Sequence, residues 1–327
     1  MNRSISADLI KCFSIFGVAF IHGSFILGCK SEIHTHLENL FRFCVPCFIL
    51  IWAFYFEKSY AKKDKVERIN YIKTRLKHLF IVYIIWSLLY FIYLAKWESL
   101  TPVKIITTHF AGRGWSGQYF FLILFQLLLL FPLLRWVYNN KLLRYASIVI
   151  IGALYIVLGY YFKTLPSGIS KLSNLPFLYW IPYVFTGIAL SREQIKKLPA
   201  IAALAVFVMP VEAYILTLKG VDYIDYITPL TLICSILTCS YFLQSSIKIK
   251  NSFISKTVNY IGQNTMTIFV TNPLIILLLQ QIILTDLYAC STLAKIVLPF
   301  LSTIIIGAIG LAMAEIIRKV KLNGILN

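Results

Sequence analysis

The sequence predicts an all-α fold: a polytopic bundle of about ten membrane-spanning helices, with both termini in the cytoplasm. Three observations support this prediction. Of the 327 residues, 59% are hydrophobic and only 13% are charged, and the apolar residues fall into runs of about spanning length. A soluble domain carries about 25% charged residues. The composition therefore excludes a soluble globular enzyme, a disordered chain and a nucleic-acid-binding domain.

Ten apolar runs approach the roughly 20 residues that a bilayer-spanning helix needs. They lie at residues 8–28, 40–56, 79–95, 119–138, 145–162, 175–190, 200–218, 224–245, 265–284 and 293–317. Seven runs contain or adjoin a proline, which predicts kinked helices around an interior cavity. The first run has no small-residue cleavage site after it, so we expect a retained helix rather than a signal peptide. The whole chain, 1–327, is predicted to form one integral-membrane domain.

The net charge of +18 is explained mainly by topology. Twenty-one basic residues occupy one alternating set of connections and eight occupy the opposite set. Lys and Arg collect in cytoplasmic connections, so the richer set is predicted to be cytoplasmic, together with both termini.

The first apolar run carries two ionisable residues, Lys11 and His22. They are eleven positions apart, so both face the same side of a helix, about 16 Å apart along its axis. Ionisable residues inside a membrane are costly and are functional candidates by default. The His22 imidazole is suited to general-base catalysis, and Lys11 places a cation at the inner mouth. The structural alternatives are a hydrogen-bonded core histidine and a lysine that extends to the interface.

Further cations are candidates for binding anions. Arg42 begins the second apolar run, where it either anchors the helix at the interface or faces an anionic intermediate. Lys73, Arg75 and Lys77 form a basic patch in the predicted cytoplasmic loop before the third run. This patch contacts either lipid headgroups or a phosphorylated cytoplasmic cofactor.

Four residues are candidates for contacting the substrate. Trp115, Gln118 and Tyr119 belong to a glycine-rich external segment, although an aromatic belt explains the two aromatic residues equally well. Glu212 is an acid within the seventh run.

No metal site is expected. The pairs Cys44/Cys47 and His34/His36 have suitable spacing but no supporting ligands. The chain also has no phosphate-binding glycine loop, no Gly-x-Ser-x-Gly elbow and no His-Glu-x-x-His motif, so ATP hydrolysis, serine hydrolysis and zinc proteolysis are unsupported.

Taken together, these residues resemble acyltransferase family 3, a family of bacterial membrane proteins. The shared features are a basic residue followed eleven positions later by His, an Arg-x-x-Val-Pro-x-Phe pattern, a basic run before helix three, an aromatic fourth helix and a late Gly-x-Ser segment. Here they are carried by Lys11 and His22, Arg42–Phe48, Lys73 and Arg75, Gln118–Pro132, and Tyr260–Thr265. The Val-Pro-Cys-Phe sequence and the chain length are most similar to intercellular-adhesin and capsule O-acyltransferases.

The sequence departs from the family pattern at three places. Trp52-Ala53-Phe54 replaces Ser-Gly-Tyr, Asn272 replaces a late His before Pro273, and His78 stands where a second Arg often follows Arg75. These differences concern the class of substrate more than the type of reaction.

The resemblance implies a bacterial plasma-membrane O-acyltransferase. It would transfer an acyl group, acetyl in the first place and succinyl as the alternative, from cytoplasmic acyl-CoA to a hydroxyl of a surface or lipid-linked polysaccharide. His22 would be the base, Arg42 would stabilise the oxyanion, and Lys11 would assist the donor, which Lys73, Arg75 and Lys77 would bind. Expected partners are the glycan, membrane lipids, glycan synthase or export proteins and a second copy of the chain, with no nucleic acid. The alternatives are a polysaccharide exporter or flippase without acyl transfer, and a membrane sensor.

Overall fold

The computed structural model describes residues 4–23, 32–95, 97, 100–161, 174–221, 223–224, 226–282 and 292–320. Within these residues the chain is all-α, without strands. The α-helices are α1 Ile5–Gly23, α2 Glu32–Leu40, α3 Cys44–Tyr60, α4 Lys65–Leu94, α5 Pro102–Lys104, α6 Gln118–Asn139, α7 Lys141–Tyr160, α8 Ile181–Ser191, α9 Met209–Leu218, α10 Pro229–Gln244, α11 Ser252–Gln263, α12 Thr265–Ile282 and α13 Thr292–Lys319. A π-helical turn, Ile105–Phe110, follows α5, and 3₁₀ segments Phe177–Trp180 and Ala200–Val208 precede α8 and α9.

All ten predicted apolar runs overlap helices, and the chain is a polytopic helical membrane protein. In the described part of the chain, seven helices are long and apolar enough to cross a membrane, and the number rises to eight when α11 and α12 are taken as one broken span. Two further apolar helices, Phe177–Ser191 and Pro229–Gln244, are shorter. The count of ten spans and the cytoplasmic position of both termini stay predictions.

The helix α4 begins well before its predicted start. Residues 57–78 were expected to form a loop, but α4 runs without interruption from Lys65 to Leu94. The first part of α4 is rich in Lys, Arg, Glu and Leu, which have high helix propensity, so the helix extends beyond its apolar part. A hydrophobicity pattern detects only the apolar part of such a helix.

The described residues form two compact units, each with its own packing. The first unit comprises the described residues of 1–17, 32–64 and 130–262. In this unit α3 packs closely against α8 and α10. A Cβ atom on Gly187 would lie 2.7 Å from Ala53 Cβ and 2.8 Å from the Leu50 carbonyl oxygen, so the close crossing of α3 and α8 requires glycine there.

The second unit comprises the described residues of 18–31, 65–129 and 263–327. Its main helix pair is α12 and α13. Ala19 of α1 joins Ile275, Ile276 and Ile306 in a buried apolar cluster. Each helix of the pair contains an internal proline, Pro273 in α12 and Pro299 in α13.

Candidate active site

His22 lies in the last turn of α1, in the second unit, and contacts Asn272 of α12. His22 Nδ1 and Asn272 Oδ1 are 2.7 Å apart. Asn272 is fully buried, and His22 is partly exposed. A polar pair inside a membrane protein therefore links the first helix of the chain to one of the last.

The orientation of the Asn272 side chain follows from the adjacent proline. Pro273 has no backbone N–H, so the Phe269 carbonyl, four residues earlier, loses its usual helical donor. Asn272 Nδ2 donates to this carbonyl at 2.8 Å. Because a carbonyl oxygen only accepts, the amide nitrogen of Asn272 must point toward Phe269, which leaves Oδ1 facing His22.

This orientation selects one tautomer of His22. Asn272 Oδ1 is an acceptor, so Nδ1 of the neutral imidazole carries the proton and donates it. Nε2 then carries the lone pair. A histidine held in this way is prepared to accept a proton at Nε2, because one ring nitrogen is fixed by the hydrogen bond of the other.

Tyr90 of α4 forms hydrogen bonds with two backbone groups of α12 near Pro273. Its hydroxyl donates to the Val270 carbonyl at 2.8 Å and accepts the backbone N–H of Leu274, also at 2.8 Å. The Tyr90 ring stacks on Trp115, with centroids 4.8 Å apart and planes 14° apart. These contacts with the backbone of α12 thus also position the ring that stacks on Trp115.

A cavity of about 340 Å³ opens beside His22. Its walls are mostly apolar, with a few polar groups. It is lined by His22, Leu94, Trp115, Ser116, Pro273, Ile276, Leu277 and Gln280. A mostly apolar cavity with a few polar side chains is typical of small-molecule sites. Of the predicted substrate residues, Trp115 is brought to this cavity.

Gln118 is fully buried and holds the loop that carries Trp115. Its Nε2 donates to Ser87 Oγ at 2.8 Å and to the His109 carbonyl at 2.7 Å, while its Oε1 accepts from the Gly114 N–H at 2.6 Å. Trp115 Nε1 reaches the same Ser87 hydroxyl at 3.5 Å. Gln118 therefore positions the loop rather than lining the cavity, and the partly buried Tyr119 does not line it either.

Lys11 and Arg42 belong to the first unit. Lys11 Nζ lies 3.5 Å from Asp8 Oδ1 and 5.5 Å from the centroid of the Tyr55 ring. Asp8 is buried, and a Cβ on Gly262 would lie 2.7 Å from its Oδ1. Gly262 belongs to the segment that resembles the family's late Gly-x-Ser feature. Because it has no side chain, α11 can approach this carboxylate closely.

Arg42 has an acidic and an aromatic neighbour in the first unit. Its guanidinium lies 3.6 Å from Glu38 Oε2, 3.4 Å from the Tyr226 hydroxyl and 5.3 Å from the centroid of that ring. These contacts hold the guanidinium by a carboxylate and a ring face, which are the two kinds of partner that suit arginine.

A buried ion cluster, absent from the sequence predictions, joins three helix ends of the first unit. Glu57 is 1% exposed and accepts hydrogen bonds from Arg135 Nε at 3.0 Å and from Arg192 Nη2 at 2.6 Å. Lys58 and Lys62 line a cavity of about 520 Å³ with these residues. Lys58, Arg135 and Arg192 all belong to the set of basic residues that the charge distribution predicts to be cytoplasmic.

The predicted basic patch lies on the exposed first part of α4. Lys73, Arg75 and Lys77 are all exposed. Lys73 and Lys77 are four residues apart and share a helix face, while Arg75 points away from them and lies 5.2 Å from the centroid of the Tyr71 ring. The patch is therefore helical and two-sided, in contrast to the loop that was predicted.

Glu212 is buried in the first unit, where its carboxylate accepts hydrogen bonds from neighbouring residues. It accepts the Thr228 hydroxyl at 2.5 Å, the Tyr160 hydroxyl at 3.0 Å and the Leu230 N–H at 3.1 Å. Leu230 lies in the first turn of α10, so the carboxylate caps that helix and interacts favourably with its dipole. These contacts account for an acid at this depth without a substrate.

The residues with weak metal spacing are only partly described. The His34 side chain lies outside the described side chains, and the His36 ring packs edge-on against Tyr214, with centroids 5.4 Å apart. Cys44 and Cys47 are both buried thiols of the first unit.

Comparison with known families agrees with the geometry. A family model described as an acyltransferase domain matches residues 4–317, which is almost the whole chain. No curated protein and no solved structure gives a match. The chain therefore belongs to acyltransferase family 3 and is a multi-pass membrane acyltransferase.

Proposed function

We propose that the protein is an O-acyltransferase of the bacterial plasma membrane. It transfers an acyl group, acetyl in the first place, from cytoplasmic acyl-CoA to a hydroxyl of a surface or lipid-linked polysaccharide. The observation that carries the proposal is the His22–Asn272 pair beside a cavity that contains Trp115. This pair supplies an oriented base where an acceptor hydroxyl has room to enter.

In the proposed reaction His22 Nε2 removes the proton of the acceptor hydroxyl. The hydroxyl oxygen attacks the thioester carbonyl carbon and forms a new C–O bond. The C–S bond then breaks, and the departing thiolate takes the proton from the imidazolium to give free CoA. General-base catalysis of this type contributes about 10²- to 10⁴-fold to the rate.

The other site residues have proposed roles around this step. Trp115 contacts the acceptor in the cavity, and Gln118 positions the loop that carries Trp115. Lys73, Arg75 and Lys77 attract the phosphates of acyl-CoA, because clustered cations bind phosphates through charge-assisted hydrogen bonds. For Lys11 we propose an electrostatic role toward the donor, and for Arg42 stabilisation of the tetrahedral oxyanion.

The experiment compares wild type with His22→Ala in proteoliposomes that contain the acceptor glycan and either acetyl-CoA or succinyl-CoA. Acyl esters on the glycan and released CoA thiol are measured together. We expect equal amounts of both products from wild type and a loss of at least 100-fold for His22→Ala. Transfer by a membrane-inserted His22→Ala protein at the wild-type rate would refute the role of the base. Glycan transport without CoA release would instead identify an exporter.

A further inference from the structure

A groove of about 620 Å³ lies on the first unit, between residues of α7, α8 and α10. Ile148 of α7 and Ile233 of α10 line it and are each about half exposed, at 51%, so the groove is open to the surroundings. In a membrane-spanning helix, such exposed apolar side chains face lipid.

The walls of the groove offer hydrocarbon contacts. Isoleucine, leucine and phenylalanine side chains dominate them, and the hydroxyl of Thr186 is satisfied by the Pro182 carbonyl of its own helix at 2.8 Å. Gly152 lies in the α7 wall, and a Cβ added there would meet no atom within 4 Å. The missing side chain therefore widens the groove in the middle of a helix, where glycine is otherwise unfavourable.

One end of the groove is cationic. Arg144 stands there, with its guanidinium 5.0 Å from the centroid of the Tyr138 ring and 3.4 Å from the Tyr138 carbonyl oxygen. The Tyr138 hydroxyl in turn donates to Gln194 at 2.6 Å. In the part of the chain that the structure describes, no carboxylate lies within salt-bridge distance of Arg144.

The spacing of Arg144 and Gly152 along α7 is within the reach of one lipid molecule. Arg144 and Gly152 are eight residues apart on α7, which is about 12 Å along the helix axis. One leaflet contributes about 15 Å of the hydrocarbon core, half of roughly 30 Å. A lipid with its phosphate at Arg144 would thus place part of an acyl chain against Gly152.

We propose that this groove binds one anionic glycerophospholipid, with its phosphate on Arg144 and an acyl chain along the opening at Gly152. Arg144 belongs to the connections that the charge distribution assigns to the cytoplasm, where the leaflet is rich in anionic lipid. The site is separate from acyl transfer, because its residues do not include His22 or the residues that line the His22 cavity.

The test is native mass spectrometry of the purified protein in detergent, titrated with phosphatidylglycerol or phosphatidylcholine. We expect wild type to bind one phosphatidylglycerol at least tenfold more tightly than Arg144→Gln, which loses a charge-assisted contact to phosphate. Gly152→Leu fills the groove and should weaken binding of both lipids. The control is Lys141→Gln, because Lys141 is an exposed cation on α7 that does not line the groove.

The Gly152→Leu protein should remain folded, since its new side chain enters open space, and its thermal unfolding in detergent checks this. Equal phosphatidylglycerol affinity in wild type, Arg144→Gln and folded Gly152→Leu would overturn the proposal. Displacement of phosphatidylglycerol by a tenfold lower concentration of a polyprenyl phosphate would also overturn it, since the groove would then hold a carrier lipid. Neither result depends on catalytic activity.

Discussion

Replacing Asn272 with alanine is the most direct test of how the base is oriented. The change removes the acceptor that lies 2.7 Å from His22 Nδ1, so this partly buried N–H loses its partner. Loss of such a hydrogen bond costs about 1–3 kcal/mol. Each 1.36 kcal/mol in the barrier is a factor of ten, so we expect kcat to fall about ten- to hundredfold.

The assay is acyl transfer by purified protein in proteoliposomes, with kcat and KM normalised to folded protein. KM for acyl-CoA should stay within about twofold, because Asn272 acts on His22 and is not expected to touch the donor. Thr271→Ala is the matched control. Thr271 is the buried neighbour of Asn272, and its hydroxyl bonds only within α12, to the Thr267 carbonyl at 2.8 Å and to the Ile268 carbonyl at 3.4 Å.

A second variant separates the two contacts of Asn272. Asn272→Asp retains an acceptor for His22 but cannot donate to the Phe269 carbonyl, which then faces another oxygen. Compared with Asn272→Ala, we expect Asn272→Asp to retain a higher kcat but to unfold at a lower temperature. The reasoning fails if folded Asn272→Ala transfers acyl groups with wild-type kcat, because the tautomer of His22 would then be set by something else.

Three further predictions concern packing, the ion cluster and the donor. Gly187→Ala should lower the detergent unfolding temperature, because its methyl would overlap α3, whereas Gly152→Ala should leave the temperature unchanged or raise it. Glu57→Ala should destabilise the first unit by about 3 kcal/mol, measured by chemical denaturation, because it leaves two guanidinium groups without their carboxylate; an unchanged midpoint would contradict this. Lys73→Gln should raise KM for acyl-CoA about three- to tenfold without changing kcat, while Lys219→Gln, in the connections predicted to be external, should not.

The helical architecture could be predicted from the sequence because each apolar run predicts a helix independently of the rest of the chain. The ten runs all overlap helices, since spanning length and composition are local properties. The early start of α4 was missed because its first part is helical but not apolar. Hydrophobicity locates the apolar part of a helix, whereas helix propensity is needed to locate a polar extension of the same helix.

His22 could be singled out from the sequence as a candidate base, but its hydrogen-bond partner could not. His22 stands out as an ionisable residue in an apolar run, whereas Asn272 lies 250 residues away and is neutral. The one signal for Asn272 was its place before Pro273, where the family commonly has histidine. The cluster at Glu57 was missed for a similar reason, since each charge lies at the end of a different helix and only the fold joins them.

The internal proline of α12 has a consequence for the charge balance of the proposed site. Many enzymes orient a catalytic histidine with a carboxylate, which would bring a formal anion to a depth where ionised groups are expensive. Because Pro273 has no backbone N–H, the Phe269 carbonyl accepts a hydrogen bond from the Asn272 amide instead. This neutral amide in turn orients the His22 imidazole. The proposed base is thereby directed by a neutral amide, with no carboxylate needed to orient it.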